Sequence, residues 1–470
     1  MKITRFFPIV FLITIVLVSF YLRSINLSKI PYPGESMDEY SFAWVGLSLI
    51  RTGIPIGISG ITGYKNTDFR YINVDQVFRG SAKGNPFAIN SPWFDHPPLL
   101  GLVAGGFAYL MGGRVFEDTQ VNFIRKPMFF FGVISVCLLF YYTKKVFGIK
   151  EAIIASAIYA TSPLAIISSR MVQAENLLIP LFLASLTATY LYLQKQQGAL
   201  LYAAGILAGI SLLVKLSGLA IVLSCTFLIL YFYPGGIKKA VPSVLIFAVV
   251  SLAFLIFFIS YGAAFDFGQF LSIFTSNSNR IYSIGPLAFF DLMTATKITA
   301  SRYLTDGFVL AGWFSSFLLF VLPSEKKKHE MYILIPLVCY LVIFLLFGSE
   351  PYGWYRFPFI PFLFAAIARI LMLSLRNPDL FLPAFLILLI PAGVSLSKII
   401  SIEKFQELAG IWRWGLAGLL FIYLFSYAKP KSKMVKILIP VTLICLFVLS
   451  IYLNLEYFRK ITPQYWQNAT

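Results

Sequence analysis

Apolar runs about as long as a bilayer is thick recur from one end of this 470-residue chain to the other. A helix needs about 17–20 apolar residues to span the bilayer core, and about thirteen such runs can be read. They fall at 6–22, 127–143, 151–168, 177–194, 199–214, 217–233, 241–262, 307–323, 331–347, 356–374, 379–395, 411–427 and 436–453. Hydrophobic residues make up 59% of the chain and charged residues 12%. This pattern excludes a soluble globular protein and predicts an all-α polytopic membrane protein.

Loop charge predicts which helix ends face the cytoplasm. The N-terminus, MKITRFF, precedes an apolar run without a small-residue cleavage site, so we expect an uncleaved first helix. Lysines recur in alternating loops, at 144–150, 195, 238–239, 326–329 and 429–433. By the positive-inside rule these loops and the N-terminus are cytoplasmic. The glycine-containing segment 98–113 would add an odd span, so we expect a re-entrant or interfacial helix there; an ordinary span is the alternative.

This topology turns two long segments, 23–97 and 263–306, to the external side. The external carboxylates are Asp38, Glu39, Asp95 and Glu175, and the external cations are Arg170, Lys215, Arg280, Arg302 and Arg356. Charges at a membrane boundary are costly unless they face protein, water or a ligand, so their convergence predicts an active face. Arg170 and Lys215 could instead be interfacial anchors.

Net charge and the numbers of cysteines and histidines narrow the possible classes of protein further. The net charge of +18 suits cytoplasmic loops on anionic lipid or an anionic substrate. Nucleic acid is disfavoured because the basic residues form no block. All four cysteines lie in apolar runs without CxxC spacing, and there are only two histidines. We therefore expect neither a disulfide nor a histidine-based metal centre.

The stretch PGESMDEYSFAW, 33–44, places two adjacent carboxylates after the first helix. Ser36 and Glu39 have the spacing of a capping box. Asp38 then occupies the first turn, where the helix dipole keeps a carboxylate ionised, as a general base requires. We expect the helix to end near Arg51, before Gly53, and to lie on the membrane. The local pattern leaves capping and catalysis both open.

A second stretch, WFDHPPL at 93–99, precedes the glycine-containing segment. Its two prolines restrict the backbone at the predicted interface. One interpretation is membrane entry with Trp93 as an interfacial anchor. The other is a phosphate contact by His96 or by nearby amides.

Taken in order, these stretches resemble the GT-C glycosyltransferases. The chain continues with SSRMVQAENLLIPLF at 168–182, LAGISLLVKLSG at 207–218 and WYRFPFIPFLFAAI at 354–367. The order and spacing are similar to the branch of protein O-mannosyltransferases and lipid A aminoarabinose transferases. The resemblance covers most of 1–220, returns at 354–367 and fades beyond 375.

The resemblance implies a role for each matching residue. Asp38 matches the catalytic aspartate, Glu39 its acidic neighbour, and Glu175 stands where the family usually has aspartate, a second acidic residue near the site. These three are the candidate catalytic residues. His96 matches a position where some relatives carry a phosphate-binding lysine. The candidates for binding the donor phosphate are His96, Tyr355, Arg356, Arg280, Arg302, Lys215 and Arg170.

The implied reaction moves a sugar from a polyprenyl-phosphate-linked donor to a hydroxyl of a glycan, lipid or protein acceptor, with inversion, at the external face of the cell membrane. We expect no cofactor and no required metal, although a divalent metal is possible. Residues 1–375 would form the catalytic module and 376–470 additional C-terminal helices. The alternatives are a polysaccharide ligase or polymerase, and a lipid or glycan transporter. A transporter is disfavoured because the charges collect at one interface and no matching halves are found.

Overall fold

Long apolar helices dominate the fold because a backbone in lipid must satisfy its hydrogen bonds internally. The computed structural model describes residues 3–75, 86–279, 285–294, 298–299, 302–322, 327–346, 352–429 and 432–468. Its first helices are α1 (Ile3–Ser24), α2 (Asp38–Thr52), α3 (Leu99–Leu110), α4 (Val121–Ile124), α5 (Lys126–Val146), α6 (Ile149–Thr161), α7 (Pro163–Ser168), α8 (Ala174–Lys195), α9 (Gly198–Val214), α10 (Leu219–Phe232) and α11 (Ile237–Phe265). The others are α12 (Phe267–Ser278), α13 (Gly285–Thr294), α14 (Gly307–Val321), α15 (Lys327–Leu346), α16 (Ile360–Ser374), α17 (Phe381–Ile399), α18 (Ile402–Glu407), α19 (Ala409–Ala428), α20 (Lys433–Lys460) and α21 (Pro463–Asn468).

Eight helices in the described part of the chain are long and apolar enough to cross a membrane. They are Val121–Val146, Ala174–Lys195, Ile237–Phe265, Lys328–Leu346, Gly353–Ser374, Phe381–Ile399, Ala409–Ala428 and Lys433–Lys460. Shorter apolar helices include Pro8–Ser24, Gly198–Val214, Leu216–Phe232 and Gly307–Val321, which match four other predicted spans. The multi-pass architecture is as predicted, but helix length does not confirm the count of about thirteen.

One predicted span, 151–168, is wrong as a single helix. Helix α6 ends at Thr161 and α7 begins at Pro163, with the backbone of Ser162 extended between them. Proline lacks the amide that would continue the helix and disfavours a helical residue before it. The Ser162 hydroxyl accepts a hydrogen bond from the Ala165 amide and so caps the new helix.

Helices α2 and α3 cross at very short range through glycines. A Cβ on Gly46 would lie 1.8 Å from the Gly101 carbonyl oxygen, and one on Gly105 would lie 2.3 Å from the Leu47 amide nitrogen. Gly101 and Gly105 are four residues apart and share one face of α3, as in membrane helix pairs that pack closely. The crossing buries α2 from Glu39 to Ser48. Protein therefore covers the apolar face of α2, which the sequence had suggested would face the membrane; a position of α2 at the membrane surface stays a prediction.

The first of the two long segments, 23–97, also contains a small antiparallel sheet of order β1-β3-β2, which an all-α prediction omits. Its strands are β1 (Gly57–Ile58), β2 (Thr67–Arg70) and β3 (Phe87–Asn90). Gly57 pairs with Asn90, and Arg70 pairs with Phe87. The Ser41 hydroxyl of α2 hydrogen-bonds both the amide and the carbonyl of Ile58. Because β2 is exposed throughout and β1 has two residues, neither shows the alternation by which strands are recognised.

The interior of the helical bundle is centred on α16, where nearly every residue is buried. At the periphery, α19 buries only Ser426 and presents its apolar side chains outward, as a lipid-facing helix does. The C-terminal end returns to the centre, because Tyr457, Phe458, Ile461 and Trp466 are buried in the main core.

Candidate active site

The adjacent carboxylates Asp38 and Glu39 face opposite environments. Asp38 is exposed in the first turn of α2. Glu39 is fully buried and forms a bidentate ion pair with Arg125, with distances of 2.6 Å from Nη2 to Oε2 and 2.9 Å from Nε to Oε1. The Val172 amide also donates to Glu39 Oε1, at 2.9 Å. Glu39 is therefore not placed to take a proton from an acceptor, whereas Asp38 is accessible.

The predicted capping box is wrong. The N-cap of α2 is Met37, and no side chain caps the helix. The Ser36 hydroxyl accepts instead from Gln173 Nε2 at 2.7 Å, and Glu39 turns to Arg125. Long-range partners thus replace the local bonds that the spacing suggested. The predicted end of α2 is confirmed, because Gly53 has a left-handed φ of 73° and its amide donates to the Leu49 carbonyl.

Two buried arginines hold the loop 25–37 that leads to Asp38. Arg125 Nη1 donates to the carbonyls of Leu27 and Pro31, at 3.0 and 2.9 Å. Arg170 Nη2 donates to the Leu22 carbonyl at 2.8 Å, and Nη1 to Ile30 at 3.4 Å. Burial lowers the pKa of Arg170 to about 9, so it stays charged at neutral pH. Because Arg170 is fully buried, the geometry does not support its predicted contact with donor phosphate.

A second buried pair joins Glu175 to Lys215, at 2.6 Å. Lys215 Nζ also lies 3.7 Å from the centroid of the Tyr355 ring, a cation–π contact. The structure therefore brings together three of the predicted residues. Glu175 is fully buried, which places it to hold Lys215 rather than to contact an acceptor. Its proposed catalytic part stays a prediction.

Arg356 lies beside this cluster in the 3-10 helix Gly353–Phe359, which leads into α16. The residue is 9% exposed, and within the described residues its Nε and Nη1 have no hydrogen-bond partner. It lines an otherwise apolar pocket formed by Leu164, Leu292, Val309, Trp313, Gly353, Phe357, Phe359, Ile360 and Leu363. A buried cation with unused donors suits an anionic group.

His96 lies half-buried between two aromatic rings. Its ring stacks on Phe42 of α2 at a centroid distance of 5.6 Å and meets Trp93 edge-on at 6.0 Å. The Trp93 indole donates to the Ile58 carbonyl, so it is tied to the sheet. The neighbouring Asp95 accepts from Ser59 and Tyr64, at 2.9 and 2.6 Å. His96 is thus positioned by α2 and the sheet.

Arg302 reaches the loop before Asp38 from a distant part of the chain. Its Nε donates to Glu35 Oε1 at 2.9 Å, and Trp466 Nε1 donates to both Glu35 oxygens, at 2.9 and 2.8 Å. Burial raises the pKa of Glu35, and the bonds from Trp466 and Arg302 oppose that effect. Arg280, also predicted to contact donor phosphate, lies outside the described residues.

Sequence reasoning missed Arg125, Glu35 and Trp466. A charge at the external end of an apolar run was the signal used for Arg170 and Arg356, and it would also have selected Arg125. Glu35 and Trp466 carry no local signal, because their contact joins residues 431 apart. Among the described residues, no group of three or more His, Cys, Asp or Glu lies together. Metal independence stays a prediction.

Comparison with solved structures identifies the fold. The chain is similar to ArnT from Cupriavidus metallidurans bound to undecaprenyl phosphate, with 13% identity over 96% of this chain and 77% of that chain and a TM-score of 0.53. It is less similar to the oligosaccharyltransferase AglB from Archaeoglobus fulgidus in complex with an inhibitory peptide and a dolichol-phosphate: 13% identity, 96% and 56% coverage, TM-score 0.49. The Pmt1-Pmt2 protein O-mannosyltransferase complex of S. cerevisiae bound to the sugar donor is 19% identical over 57% of this chain and 33% of that chain, with a TM-score of 0.36. The chain spans about half or less of these last two proteins.

The overall architecture is the GT-C fold of membrane glycosyltransferases. Residues 95–261 match the sequence model of the family described as dolichyl-phosphate-mannose-protein mannosyltransferase. No curated protein sequence matches the chain. Fold and family match together identify a multi-pass membrane glycosyltransferase, as the motif resemblance predicted.

Proposed function

We propose that this protein transfers a sugar, with inversion, from a polyprenyl-phosphate-linked donor to an acceptor hydroxyl at the external face of the cell membrane. The observation that carries the proposal is the division between the two carboxylates. Glu39 is buried and accepts hydrogen bonds from Arg125 and the Val172 amide, whereas Asp38 is exposed at the N-terminus of α2. An exposed carboxylate at a helix N-terminus stays ionised at neutral pH and accepts a proton from a hydroxyl.

The donor class follows from the Arg356 pocket and the matched family. The pocket combines apolar walls with a buried guanidinium whose Nε and Nη1 have no partner among the described residues. The description of the family names a sugar carried on dolichyl phosphate, and the ArnT structure of the same fold is bound to undecaprenyl phosphate. Arg356 therefore suits the phosphate of such a donor.

The transfer is a single displacement at the anomeric carbon. Asp38 removes the proton of the acceptor hydroxyl as its oxygen bonds to that carbon, and the bond from the carbon to the phosphate oxygen breaks. Negative charge grows on the departing polyprenyl phosphate. Cations that meet this charge stabilise the transition state more than the ground state. Arg356 is the first candidate for this role, and Lys215, which Glu175 holds, and His96 are further candidates.

External orientation rests on the lysine-rich loops. Lys144 and Lys145 end α5, whereas Arg125, at the opposite end of that helix, binds Glu39. The positive-inside rule places the lysines in the cytoplasm and Asp38 outside.

The proposal is tested by substituting Asp38 and Arg356 in membranes supplied with radiolabelled mannosyl-phosphoryl-polyprenol. Asp38→Asn should lower the maximal transfer rate by about 10²–10⁴-fold, the usual contribution of a general base. Arg356→Gln should raise the KM for the donor about tenfold, through loss of a charged contact to phosphate, and should also lower the maximal rate, because the cation stabilises the departing phosphate. Transfer of label to membrane acceptors gives both values.

The matched control is Asp68→Asn, which removes another exposed carboxylate of the external segment, bonded to Arg70. Its rate should equal that of the native protein. Native transfer by a folded Asp38→Asn variant would refute the general-base assignment. An unchanged donor KM in Arg356→Gln would refute the proposed phosphate site.

A further inference from the structure

The C-terminal end of the chain folds back onto the loop that leads to Asp38. After α20 ends at Lys460, Ile461 is buried, and the short helix α21 inserts Trp466 into the core with 2% of its surface exposed. The indole Nε1 lies 2.9 and 2.8 Å from the two oxygens of Glu35. Glu35 is three residues before Asp38, so the last helix of the chain contacts the segment that carries the proposed base.

Glu35 connects three segments that are far apart in the sequence. It receives the Trp466 indole N–H from the C-terminal helix and the Arg302 guanidinium from the segment before α14. The Glu35 side chain is 10% exposed and that of Arg302 is 17% exposed, so water screens the pair only partly. Hydrogen bonds to a carboxylate are stronger than neutral ones, and two donors on one carboxylate restrict its orientation.

The rest of the loop is held by other groups. Arg125 and Arg170 bind carbonyls of Leu27, Ile30 and Pro31 near its start, and Gln173 binds Ser36. Phe458 of α20 faces Arg170, with 5.6 Å from the guanidinium carbon to the ring centroid. The C-terminal end therefore makes two contacts here: Phe458 meets Arg170, which holds the loop, and Trp466 meets Glu35 in the loop itself. Of these two, Glu35 is nearer to Asp38 along the chain.

We propose that the C-terminal helix α21 positions the catalytic loop: Trp466, together with Arg302, fixes Glu35 and through it Asp38. Trp466 is thus a positioning residue for the transfer reaction. This inference rests on the proposed function, in which Asp38 is the base. A loop that is already ordered keeps the carboxylate at the acceptor hydroxyl, and small displacements of a reacting group lower rates strongly.

The first test measures the loop without substrate. A spin label is attached to Tyr32→Cys, an exposed loop position, in a variant lacking the four native cysteines. Trp466→Phe keeps an aromatic ring but removes the indole N–H donor, so the label should become more mobile. Glu35→Ala removes the same contact together with that of Arg302, so it should mobilise the label at least as much, and the double variant should behave like Glu35→Ala.

The second test measures transfer from mannosyl-phosphoryl-polyprenol. Trp466→Phe should lower the maximal rate about five- to tenfold with little change in the donor KM, because it displaces the base and leaves the donor site intact. The control is Leu453→Ala, which opens a cavity in α20 without contacting Glu35. It should lower the thermal midpoint at least as much as Trp466→Phe does, with native label mobility and native transfer.

The outcomes separate this inference from the proposed function. Native label mobility in Trp466→Phe would overturn the inference, and so would a mobilised loop with native transfer. An equal loss of transfer in Leu453→Ala would also overturn it, because general destabilisation would then explain the effect. Full transfer by Asp38→Asn would instead remove the proposed function, whatever the label shows.

Discussion

At the scale of single residues, the helix geometry of α2 explains why neighbouring carboxylates differ. Successive residues in a helix point about 100° apart, so Asp38 and Glu39 cannot share one environment. The packing of α2 then places Glu39 against Arg125 and leaves Asp38 exposed. A buried carboxylate with a bidentate guanidinium has its acceptor oxygens occupied, which supports a structural role for Glu39 and the proposal that Asp38 takes the proton.

Removing the charge of Glu39 should therefore affect folding before chemistry. Glu39→Gln leaves Arg125 charged and fully buried beside a neutral amide, which should cost about 3–5 kcal/mol. We expect a lower thermal midpoint and reduced recovery of folded protein in detergent. Size-exclusion chromatography and thermal unfolding measure both.

The matched variant is Glu35→Gln, which removes a carboxylate that is only partly buried and keeps an amide oxygen for the Trp466 donor. It should lose less stability than Glu39→Gln. Native stability of Glu39→Gln, combined with loss of transfer, would show that Glu39 acts in chemistry and not in folding.

At the scale of elements, the crossing of α2 and α3 depends on the absence of side chains at specific glycines. Gly105 lies where a Cβ would meet the backbone of Leu47, and backbone cannot move aside as a flexible side chain can. A Cβ on the neighbouring Gly106 would lie 3.5 Å from Ile50 Cδ1, which is an ordinary contact distance. Two adjacent glycines of one helix thus have opposite tolerance for a methyl group.

Gly105→Ala should accordingly destabilise the protein by about 1–3 kcal/mol through overpacking. Gly106→Ala should be neutral or should stabilise by about 0.5–1 kcal/mol, because alanine favours the helix. Thermal unfolding of the two variants in the same detergent gives the comparison. Equal loss in both would contradict the close crossing of α2 and α3.

The length and contacts of α3 bear on whether the segment 98–113 spans the membrane. Helix α3 has 12 residues and is about 18 Å long, shorter than the bilayer core of about 30 Å. Both of its flanks contact α2: His96 stacks on Phe42, and Thr119 accepts from the Trp44 indole at 2.7 Å. These contacts favour the interfacial arrangement that the loop charges predicted.

At the scale of the whole molecule, this arrangement predicts which loops face outside. A cysteine at the exposed Gln120 should react with a membrane-impermeant maleimide added to intact cells. A cysteine at the exposed Lys145, at the far end of α5, should react only after the membrane is permeabilised. Both are made in a background lacking the four native cysteines.

The reverse pattern would place Asp38 in the cytoplasm and contradict the external face. Labelling of both positions in intact cells would show that the membrane is not sealed, and a periplasmic or external marker enzyme serves as the check.

Much of the architecture could be predicted because its causes are local. Span length, the end of α2 at Gly53 and the order of motifs depend on a few consecutive residues. Two predictions were wrong, for different reasons. The break at Ser162–Pro163 was overlooked because hydropathy averages across a proline, and the capping box failed because a partner 86 residues away competes for Glu39.

The sequence by itself determined that this chain crosses the membrane many times, since hydrophobic length acts without tertiary partners, and loop charge predicts which face each helix end occupies. Only the tertiary structure decided which of two adjacent carboxylates is exposed, that Glu175, Lys215 and Tyr355 meet, and that Trp466 binds Glu35. Those facts depend on contacts between segments far apart in the chain. Such contacts are selected by the packing of the whole bundle, which no local pattern encodes.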